Sequence, residues 1–499
     1  MIGLSYYAGV FCVLSILQTH SYEILVIFPT TAQSHYRVIQ PLIHGLLDRG
    51  HKVTSITNFP DVNARANLSY INITGLKPHS KFSTNENGLM KSISRVIHNV
   101  NTYANVLNYP PVANLLKYGK KFDLVITEFF TTTPMFAPIA TVVEAPIIGV
   151  CPMITFPWLN DVMGIETKMS YMPNIFNKFT DCMSFHQRLI NFFTLLFQNS
   201  ILNWFYTSKI NEVNKHYFGI QTESLIESMA NISMIMTNNY PSMFMSLPKV
   251  PGIIEVGGIH VEAEKPLSKD LEDFINNAEY GVILFSLGSV VSESSLGIDK
   301  INNIFETFSK LKQRVIMKLD VKSYKSQFSN VKIVKWFPQR DLLAHPKVLL
   351  FISHAGIMSV IETIHCGKPM VAIPIFGDQP LNANLLVKKQ IAVIVDYKNL
   401  KGDQFFNAIN TALTEEYRIN AIKLQQLYND RPQTPLETAI YWTEYVIRNK
   451  NESKGLLKSS LIHLNSYETC LIDVFAVCVL PIIIAIGIIL WTIAHLKNN

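Results

Sequence analysis

Polar side chains cluster between residues 336 and 396, where they alternate with short apolar runs. Three of these runs have the length and composition of buried parallel strands: LLFIS (349–353), MVAIPI (370–375) and IAVIV (391–395). The stretch 356–366 predicts a helix, with Gly367 as its C-cap. The polar residues that follow the strands or begin the helices are Ser353, His354, Ser359, Glu362, Asp378 and Gln379. In open α/β sheets this edge forms the ligand crevice, and a helix N-terminus there favours a phosphate.

A histidine near the start of the chain could act as a general base. His35 lies in the polar stretch QSHYR, after the apolar run EILVIFP (23–29) and before an amphipathic helix. A nearby helix N-terminus disfavours the imidazolium form, so the ring stays neutral, as a base requires. A lone loop histidine is more often structural, so residue type alone leaves both roles open.

The elements around these residues predict two sheets. The helix after His35 has the apolar stripe Val38, Leu42, Leu46 and Leu47, and Gly50 ends it. The run KVTSIT (52–57) then completes a β-α-β unit, and FDLVIT (122–127) is a later strand that leads into Glu128. A second sheet begins at 281–289 and continues through 331–338 into the polar cluster.

Three motifs stand together in the polar cluster. They are W-x-P-Q at 336–339, H-x-G at 354–356 with a glutamate eight residues after the histidine, and D-Q after I-P-I-F-G. The segment resembles the signature of UDP-glycosyltransferases, the membrane-bound detoxifying family of animals, and more its insect branch than its vertebrate one. The similarity runs along nearly the whole chain. It implies an α/β protein of GT-B fold, with two Rossmann-like domains facing each other across a cleft and a single C-terminal transmembrane helix.

The resemblance assigns a role to each polar residue of the cluster. Trp336 would stack on uracil, Gln339 would read the base or ribose, and Glu362 would accept the ribose hydroxyls. The pyrophosphate would lie on the helix N-terminus. The donor-binding set that follows is Ser289, Trp336, Gln339, Ser353, His354, Gly356, Ser359, Glu362, Asp378 and Gln379. Within it, Asp378 and Gln379 would bind the sugar hydroxyls.

The same resemblance assigns the catalytic pair. His35 would take the proton of the acceptor hydroxyl, and Glu128 would orient the histidine. The family has an aspartate at that position, so Glu128 is one methylene longer. Two more departures are Ala355, where a glycine is usual, and Met358, where the vertebrate members have an asparagine. Ala355 narrows the backbone freedom of its turn.

No D-x-D triplet occurs in the chain. This argues against a metal-chelating sugar transferase and for stabilisation of the leaving UDP by a helix dipole and hydrogen bonds. We therefore expect no cofactor and no metal, with the UDP-sugar as a co-substrate. The net charge of +6 over 499 residues is mild and no RNA or DNA module is present, so nucleic acid is not an expected partner.

The ends of the chain predict a type I membrane protein. Residues 1–21 carry no Asp, Glu, Lys or Arg and read as a signal peptide, while 474–494 is an apolar stretch long enough to cross a bilayer. The expected domains are 1–21 signal peptide, 22–248 acceptor-binding domain, 249–450 UDP-sugar-binding domain, 451–473 juxtamembrane segment, 474–494 transmembrane helix and 495–499 cytosolic tail. The resemblance implies the endoplasmic reticulum membrane, with both catalytic domains in the lumen.

Four Asn-x-Ser/Thr sequons agree with this orientation and predict a glycoprotein: Asn67, Asn72, Asn231 and Asn451. The stretch 183–218 is rich in Phe, Leu and Trp. Its composition favours buried helices, with a patch lying on the membrane as the alternative. Residues expected to line the acceptor pocket are Phe129, Phe130, Met135, Phe156 and Trp158, together with that stretch.

The main hypothesis is an inverting transfer of a hexose, glucose before glucuronic acid, from its UDP ester to a hydroxyl of a small lipophilic acceptor. This reaction would serve detoxification or the conjugation of hormones and secondary metabolites. The expected partners are the UDP-sugar, the acceptor and the lipid bilayer, and a homo-oligomer is left open. The alternatives are a glucuronosyltransferase and a membrane-anchored protein that binds UDP-sugar or lipophiles without transfer.

Overall fold

Two parallel β-sheets, each covered by helices, form the body of the chain in the computed structural model. The structure describes residues 20–61, 63, 65–76, 89–175, 177–219, 229, 231–288, 296–319, 328–400 and 402–498. The expected signal peptide therefore lies almost wholly outside the described residues.

The first sheet has seven strands within the described residues, in the order β3-β2-β1-β4-β5-β6-β7. All of its pairs are parallel. The strands are β1 Glu23–Phe28, β2 Lys52–Thr57, β3 Leu68–Asn72, β4 Leu124–Glu128, β5 Ile147–Cys151, β6 Ile232–Thr237 and β7 Ile253–Glu255. The central strands are buried on both faces, as parallel sheets between helices require.

The second sheet has six strands in the described part of the chain, in the order β10-β9-β8-β11-β12-β13, again all parallel. They are β8 Val282–Ser286, β9 Arg314–Lys318, β10 Val331–Val334, β11 Val348–Ser353, β12 Met370–Ala372 and β13 Ala392–Ile394. The three apolar runs of the polar cluster correspond to β11, β12 and β13. The parallel strands predicted there are confirmed, with the last two shorter than expected.

The helices lie between and after these strands. In chain order they are α1 Gln33–Asp48, α2 Leu89–Asn108, α3 Pro110–Lys117, α4 Ile139–Val142, α5 Pro157–Met163, α6 Phe185–Phe197, α7 Asn203–Phe218, α8 Lys269–Asn276, α9 Ile298–Ser309, α10 Gln339–Ala344, α11 Ile357–His365, α12 Gln379–Lys388, α13 Gly402–Ala412, α14 Glu415–Asn429, α15 Pro435–Arg448, α16 Ser453–Leu456, α17 Ser466–Thr469 and α18 Ile472–Asn498.

Helix α1 joins the first two strands and brings its first turn to the carboxyl edge of the first sheet. Its predicted stripe is buried: Val38, Leu42, Leu46 and Leu47 all lie in the core formed with β1. Gly50 follows the helix with φ of +86°, a left-handed conformation that glycine adopts without steric cost. His35 is the third residue of α1, so it lies in the first turn of the helix rather than in the loop before it.

Helix α15 returns from the second domain and packs on α1. At Gly45 an added Cβ would lie 2.7 Å from Ile440 Cδ1, so the two helices approach closely because this residue has no side chain. Beyond that contact, Arg49 donates to Glu444 with Nε–Oε1 at 3.0 Å and Nη2–Oε2 at 3.2 Å. His51 Nε2 lies 3.3 Å from the same carboxylate. These contacts fix α1 against α15.

The passage between the domains is also held by aromatic stacking. The guanidinium of Arg431 packs in the corner formed by the nearly perpendicular rings of Tyr240 and Tyr428, at 3.7 and 4.1 Å from their centroids. Its Nη1 donates to Gly257 O at 2.7 Å. Strand β7 belongs to the first sheet although it follows residue 248, so that sheet extends past the domain boundary expected from the sequence.

The stretch 183–218 is helical, but the burial favoured by its composition is wrong for much of it. Phe185 is 71% exposed and Trp204 is 66% exposed. Other apolar side chains of α6 that reach the surface are Leu189, Ile190, Phe192, Phe193 and Leu196. The helix therefore covers little core and presents an apolar face outward.

The C-terminal apolar stretch forms one continuous helix, α18. Residues 472–497 are long and apolar enough to cross a membrane, and none of that window is buried against the rest of the chain. Pro481 lies inside the helix. The helix predicted for 474–494 is thus present, with about one extra turn toward the chain end.

We predict that the charge of Glu444 stabilises the packing of α15 on α1. Burial raises the pKa of this carboxyl, but hydrogen bonds from Arg49 and His51 outweigh burial and hold the pKa below its ordinary value of 4.5. A lowered pKa contributes stability above pH 4.5 and loses it as the pH falls through the folded-state value. Glu444→Gln should lower the free energy of unfolding at pH 7 by about 1 kcal/mol, a small value because Arg49 is largely exposed.

Urea unfolding at pH 7 and pH 4 measures this difference. The exposed Glu279, in the turn between α8 and β8, supplies the matched control Glu279→Gln, which should leave stability unchanged at both pH values. A Glu444→Gln deficit that stays the same size at the lower pH would contradict the assignment.

Candidate active site

His35 and Glu128 meet at the carboxyl edge of the first sheet. His35 Nδ1 lies 2.6 Å from Glu128 Oε1, and Glu128 is only 1% exposed. The pair forms because β1 and β4 are adjacent parallel strands, so α1 begins beside the last residue of β4. A carboxylate at Nδ1 holds the proton there and leaves Nε2 as the basic nitrogen. The extra methylene of Glu128 does not prevent the contact, and the role of His35 as a base stays a prediction.

Aromatic side chains pack beside the histidine. The ring of Phe130 meets the imidazole edge-on with centroids 4.6 Å apart, and Phe156 lies 5.5 Å beyond Phe130. Phe129 and Met135 are fully buried, and an added Cβ at Gly149 would lie 2.7 Å from the ring of Phe129. These two residues belong to the core of the first domain and not to a pocket wall. The side chain of Trp158 lies outside the described residues.

A hydrogen-bonded trio occupies the region assigned to ribose. Gln339 Nε2 donates to Glu362 Oε2 at 2.7 Å and to Ser359 Oγ at 3.1 Å. Gln339 begins α10, and the other two lie on α11, so the facing starts of these helices bring them together. The pKa of Glu362 lies above its ordinary value, because the effect of burial outweighs the Gln339 hydrogen bond and the charges of nearby arginines, which lower it. Trp336 stands just before the trio with its side chain 61% exposed, which leaves a face open to a planar partner.

The turn between β11 and α11 is built around His354. Its ring lies between two glycines: an added Cβ would come within 2.9 Å of it at Gly288 and within 2.6 Å at Gly356. Burial, with a contribution from Lys318, lowers the pKa of His354 to about 4, so the ring is neutral at pH 7. The N-terminus of α11 begins directly after this turn, at Gly356.

Ser353 and Ser289 differ from the rest of the predicted donor set. Ser353 is fully buried, and its hydroxyl accepts from Ala355 N at 3.4 Å. It lies behind the wall of the crevice and shapes the turn. Ser289 lies outside the described residues.

Ala355 has φ of +59°, a left-handed backbone conformation that is strained for a residue with a side chain. This is the turn where the sequence has alanine in place of the usual glycine. Asn382 Nδ2 donates to the carbonyl of Ala355 at 3.0 Å.

Asp378 and Gln379 begin α12 on the same edge of the second sheet. Asn382 Nδ2 donates to Asp378 Oδ2 at 2.6 Å, and Gln379 Oε1 accepts from the backbone of Ile375 and Phe376 at 2.8 and 3.0 Å. Burial raises the pKa of Asp378, and the charge of His35 is among the influences that lower it. His35 of the first domain is therefore close enough to Asp378 of the second for its charge to act on that carboxyl.

Sequence reasoning missed one histidine of this site. His260, at the end of the interdomain passage, lies with Nε2 3.9 Å from Glu362 Oε1. Burial lowers its pKa to about 3, so it is neutral beside the carboxyl. The only sequence signal was the pair Gly257 and Gly258 shortly before it. Consecutive glycines indicate a close approach of the backbone to another group, but they do not indicate a chemical role for the histidine.

Comparison with known proteins shows the family to which this chain belongs. A family model described as "UDP-glucoronosyl and UDP-glucosyl transferase" matches residues 23–496. The chain belongs to this UDP-glycosyltransferase family. Among relatives, UDP-glucosyltransferase 2 of Dactylopius coccus is 36% identical over 464 residues, which cover 91% of this chain and 88% of that protein. UDP-glucuronosyltransferase 2B1 of Rattus norvegicus is 27% identical, with 93% of this chain and 92% of that protein covered.

Solved structures confirm the GT-B fold of this UDP-glycosyltransferase. A UDP-glucosyltransferase from Polygonum tinctorium, capable of glucosylating indoxyl, superposes with a TM-score of 0.58 at 13% identity. The match covers 86% of this chain and 99% of that one. At such low identity the likeness speaks for the fold alone. Family membership makes the chain a glycosyltransferase, so the transferase hypothesis prevails over a protein that only binds.

We predict that Gly356→Ala disturbs the turn through His354 alone. Gly356 has φ of −63° and ψ of 145°, a backbone conformation that alanine adopts freely. The new Cβ would lie 2.6 Å from His354 Nε2, and that ring is blocked on its other side by Gly288. The unfolding free energy should fall by about 1–3 kcal/mol, the usual cost of overpacking.

Thermal unfolding and titration with UDP check this expectation. Gly75 supplies the control, because an added Cβ there meets no atom within 4 Å. Gly75→Ala should change neither quantity measurably. If the two variants behave alike, the His354 contact does not constrain the turn.

Proposed function

We propose that this UDP-glycosyltransferase transfers glucose from UDP-glucose, with inversion, to a hydroxyl of a small lipophilic acceptor. The observation that carries the proposal is the His35–Glu128 contact at 2.6 Å on one wall of the cleft, electrostatically coupled to Asp378 on the other wall. A base on one wall and a sugar-binding carboxylate on the other suit attack on a sugar held between them.

His35 takes the proton of the acceptor hydroxyl on Nε2 as the oxygen attacks the anomeric carbon. Glu128 keeps the ring oriented through Nδ1 and balances the positive charge that forms. The bond to the departing UDP oxygen breaks on the opposite face of the sugar, which inverts the anomeric centre. Backbone N–H groups and the dipole at the start of α11 stabilise the released diphosphate.

Each part of the UDP-sugar has its own binding residues in this proposal. Trp336 stacks on the base with its exposed face, and the carboxylate of Glu362 accepts the ribose hydroxyls while Gln339 and Ser359 hold it in place. Neutral His354 packs between Gly288 and Gly356 and adds no fixed charge. Asp378 and Gln379 bind sugar hydroxyls, with Gln379 held by the loop backbone it caps.

His35→Ala should reduce turnover by about 10²–10⁴-fold, the usual contribution of a general base, with a much smaller effect on the KM for UDP-glucose. Glu128→Gln should also reduce turnover, because a neutral amide cannot balance the imidazolium. The measurement is transfer of labelled glucose by the full-length protein in membranes to a panel of phenols and steroids.

The matched control is His98→Ala, on an exposed position of α2 away from the cleft. It should retain full turnover. If His35→Ala keeps more than about a hundredth of wild-type turnover, His35 is not the base.

The donor sugar is glucose in this proposal because the loop 376–379 contains no arginine or lysine for a glucuronate carboxylate. The greater identity to a protein named UDP-glucosyltransferase than to one named UDP-glucuronosyltransferase supports the same choice. With both donors at equal concentration, the glucoside should be the main product. A marked preference for UDP-glucuronate would overturn the choice of sugar and leave the transferase assignment intact.

The acceptor side is apolar. Phe130 stands beside the catalytic histidine, with the buried Phe156 packed behind it, and such apolar walls select by shape with only about 1–3 kcal/mol per methylene. This supports a range of hydroxyl-bearing lipophilic acceptors rather than one substrate. The proposed purpose is detoxification or conjugation of hormones and secondary metabolites.

We further propose that α18 anchors the protein as a type I protein of the endoplasmic reticulum, with both domains in the lumen. The length and full exposure of the apolar helix support the anchor. The outward apolar face of α6, including Phe185 and Phe193, supports a second contact with the same bilayer. Lipophilic acceptors that partition into the membrane would then reach the cleft directly.

A further inference from the structure

The turn at the end of the interdomain passage is fixed by groups of both domains. Gly258 N donates to Asn238 Oδ1, directly after β6, at 3.2 Å, and Gly257 O accepts from Tyr428 Oη, near the end of α14, at 2.9 Å. Gly258 has φ of +91°, and an added Cβ there would lie 2.3 Å from the Tyr428 hydroxyl and 3.6 Å from Ile361 Cγ2 on α11. The turn therefore packs between the first sheet, α14 and α11 with no space for a larger residue.

His260 follows this turn, with its ring against α11. Its side chain is 2% exposed, and its Nε2 lies 3.9 Å from Glu362 Oε1. The backbone of Met358 raises the pKa of the ring and burial lowers it by more, to about 3, so the imidazole is neutral at pH 7. Neither ring nitrogen makes a hydrogen bond of ordinary geometry to any residue that the structure describes. Burial of an imidazole without a partner is unfavourable, so this ring calls for an explanation beyond packing.

The carboxylate of Glu362 has a different neighbour at each oxygen. Its Oε2 accepts from Gln339 Nε2 at 2.7 Å, while Oε1 is the oxygen nearest to His260. The Glu362 side chain is 11% exposed, whereas that of His260 is 2% exposed. A ligand in the cleft can therefore reach the carboxylate but not the imidazole, which acts on the ligand only through Glu362.

We propose that His260 is a positioning residue for ribose recognition, whose Nε2–H donates to Glu362 Oε1 when the ribose hydroxyls bind this carboxylate. The inference rests on the proposed function and deepens it by assigning a second donor that fixes the ribose-binding group. The separation of 3.9 Å exceeds a hydrogen bond by about 1 Å, a distance that rotation of the carboxyl group about its last side-chain bond covers.

The chemistry of the carboxylate favours this arrangement. An ionised carboxyl group has about four lone-pair sites, two on each oxygen. With Gln339 on Oε2 and His260 on Oε1, each oxygen keeps one site for a ribose hydroxyl. Because both donors are neutral, the carboxylate keeps its negative charge, which strengthens its hydrogen bonds to the hydroxyls.

The test is calorimetric titration of the full-length protein in detergent with UDP and with dideoxy-UDP, an analogue that lacks both ribose hydroxyls. The wild type should bind UDP more tightly by about a hundredfold, because each hydroxyl donates a charge-assisted hydrogen bond. His260→Leu, which removes the N–H donor but keeps an apolar side chain in its place, should weaken UDP about tenfold and leave the analogue unchanged. His260→Gln, which keeps an N–H donor, should recover most of the lost UDP affinity.

The stability of the protein separates positioning from packing. The ring makes no hydrogen bond of ordinary geometry within the described residues, so His260→Leu should leave the thermal unfolding temperature unchanged or raise it. A lower unfolding temperature, or equal losses of affinity for UDP and the analogue, would make His260 a packing residue and overturn the proposal.

The control is His98→Leu, the same substitution at an exposed position of α2. It should alter the affinity for neither nucleotide. An unchanged preference for UDP in His260→Leu overturns the proposal, and so does a His260→Gln variant that binds UDP as weakly as His260→Leu. If the wild type itself binds UDP and the analogue alike, the ribose role of Glu362 in the proposed function fails, a result that is read from the wild type before any variant is made.

Discussion

The cleft depends on the packing of α15 against α1. This contact joins the end of the second domain to the helix that begins at the catalytic edge of the first. It combines a close approach at Gly45, where Ile440 takes the space of a side chain, with the buried carboxylate of Glu444 between Arg49 and His51. Neither part suffices alone. The apolar contact sets the distance between the helices, and the charged contact sets how far one slides along the other.

Helix α1 therefore transmits the position of one domain to the active site of the other. Its last turns contact α15, and its first turn places His35 beside Glu128. About 1.5 Å of rise per residue separates Arg49 from His35 by roughly 20 Å, with Pro41 inside the helix between them. The packing of Arg431 against Tyr240 and Tyr428 restrains the second crossing between the domains. A transferase whose base and donor lie on different domains requires such control of their separation.

The sequence predicted the strands well because buried parallel strands are continuous apolar runs, and β1, β2 and β11 carry that signal along their full length. It predicted that His35 and Glu128 lie together, and that the polar residues of 336–379 share one edge, because the carboxyl ends of parallel strands meet there, while the roles that the family resemblance assigns to them stay predictions. It failed for α6, since composition does not tell a buried aromatic from one left exposed, as Phe185 is. It also missed His260. Its place beside Glu362 depends on how the interdomain passage folds onto α11, and no local pattern records that relation.

The polar groups proposed to bind the donor are hydrogen-bonded to one another. Gln339 holds Glu362, Gln379 holds the loop before α12, and Asn382 joins Asp378 to the strained turn at Ala355. Side chains restrained by neighbours lose little entropy on binding a ligand, and their dipoles need little reorientation as charge develops on the departing diphosphate. The histidines near the nucleotide, His260 and His354, are neutral through burial. Glu362 and Asp378 are each held by a neutral amide, from Gln339 and Asn382, so hydrogen bonds fix these two carboxyls in place.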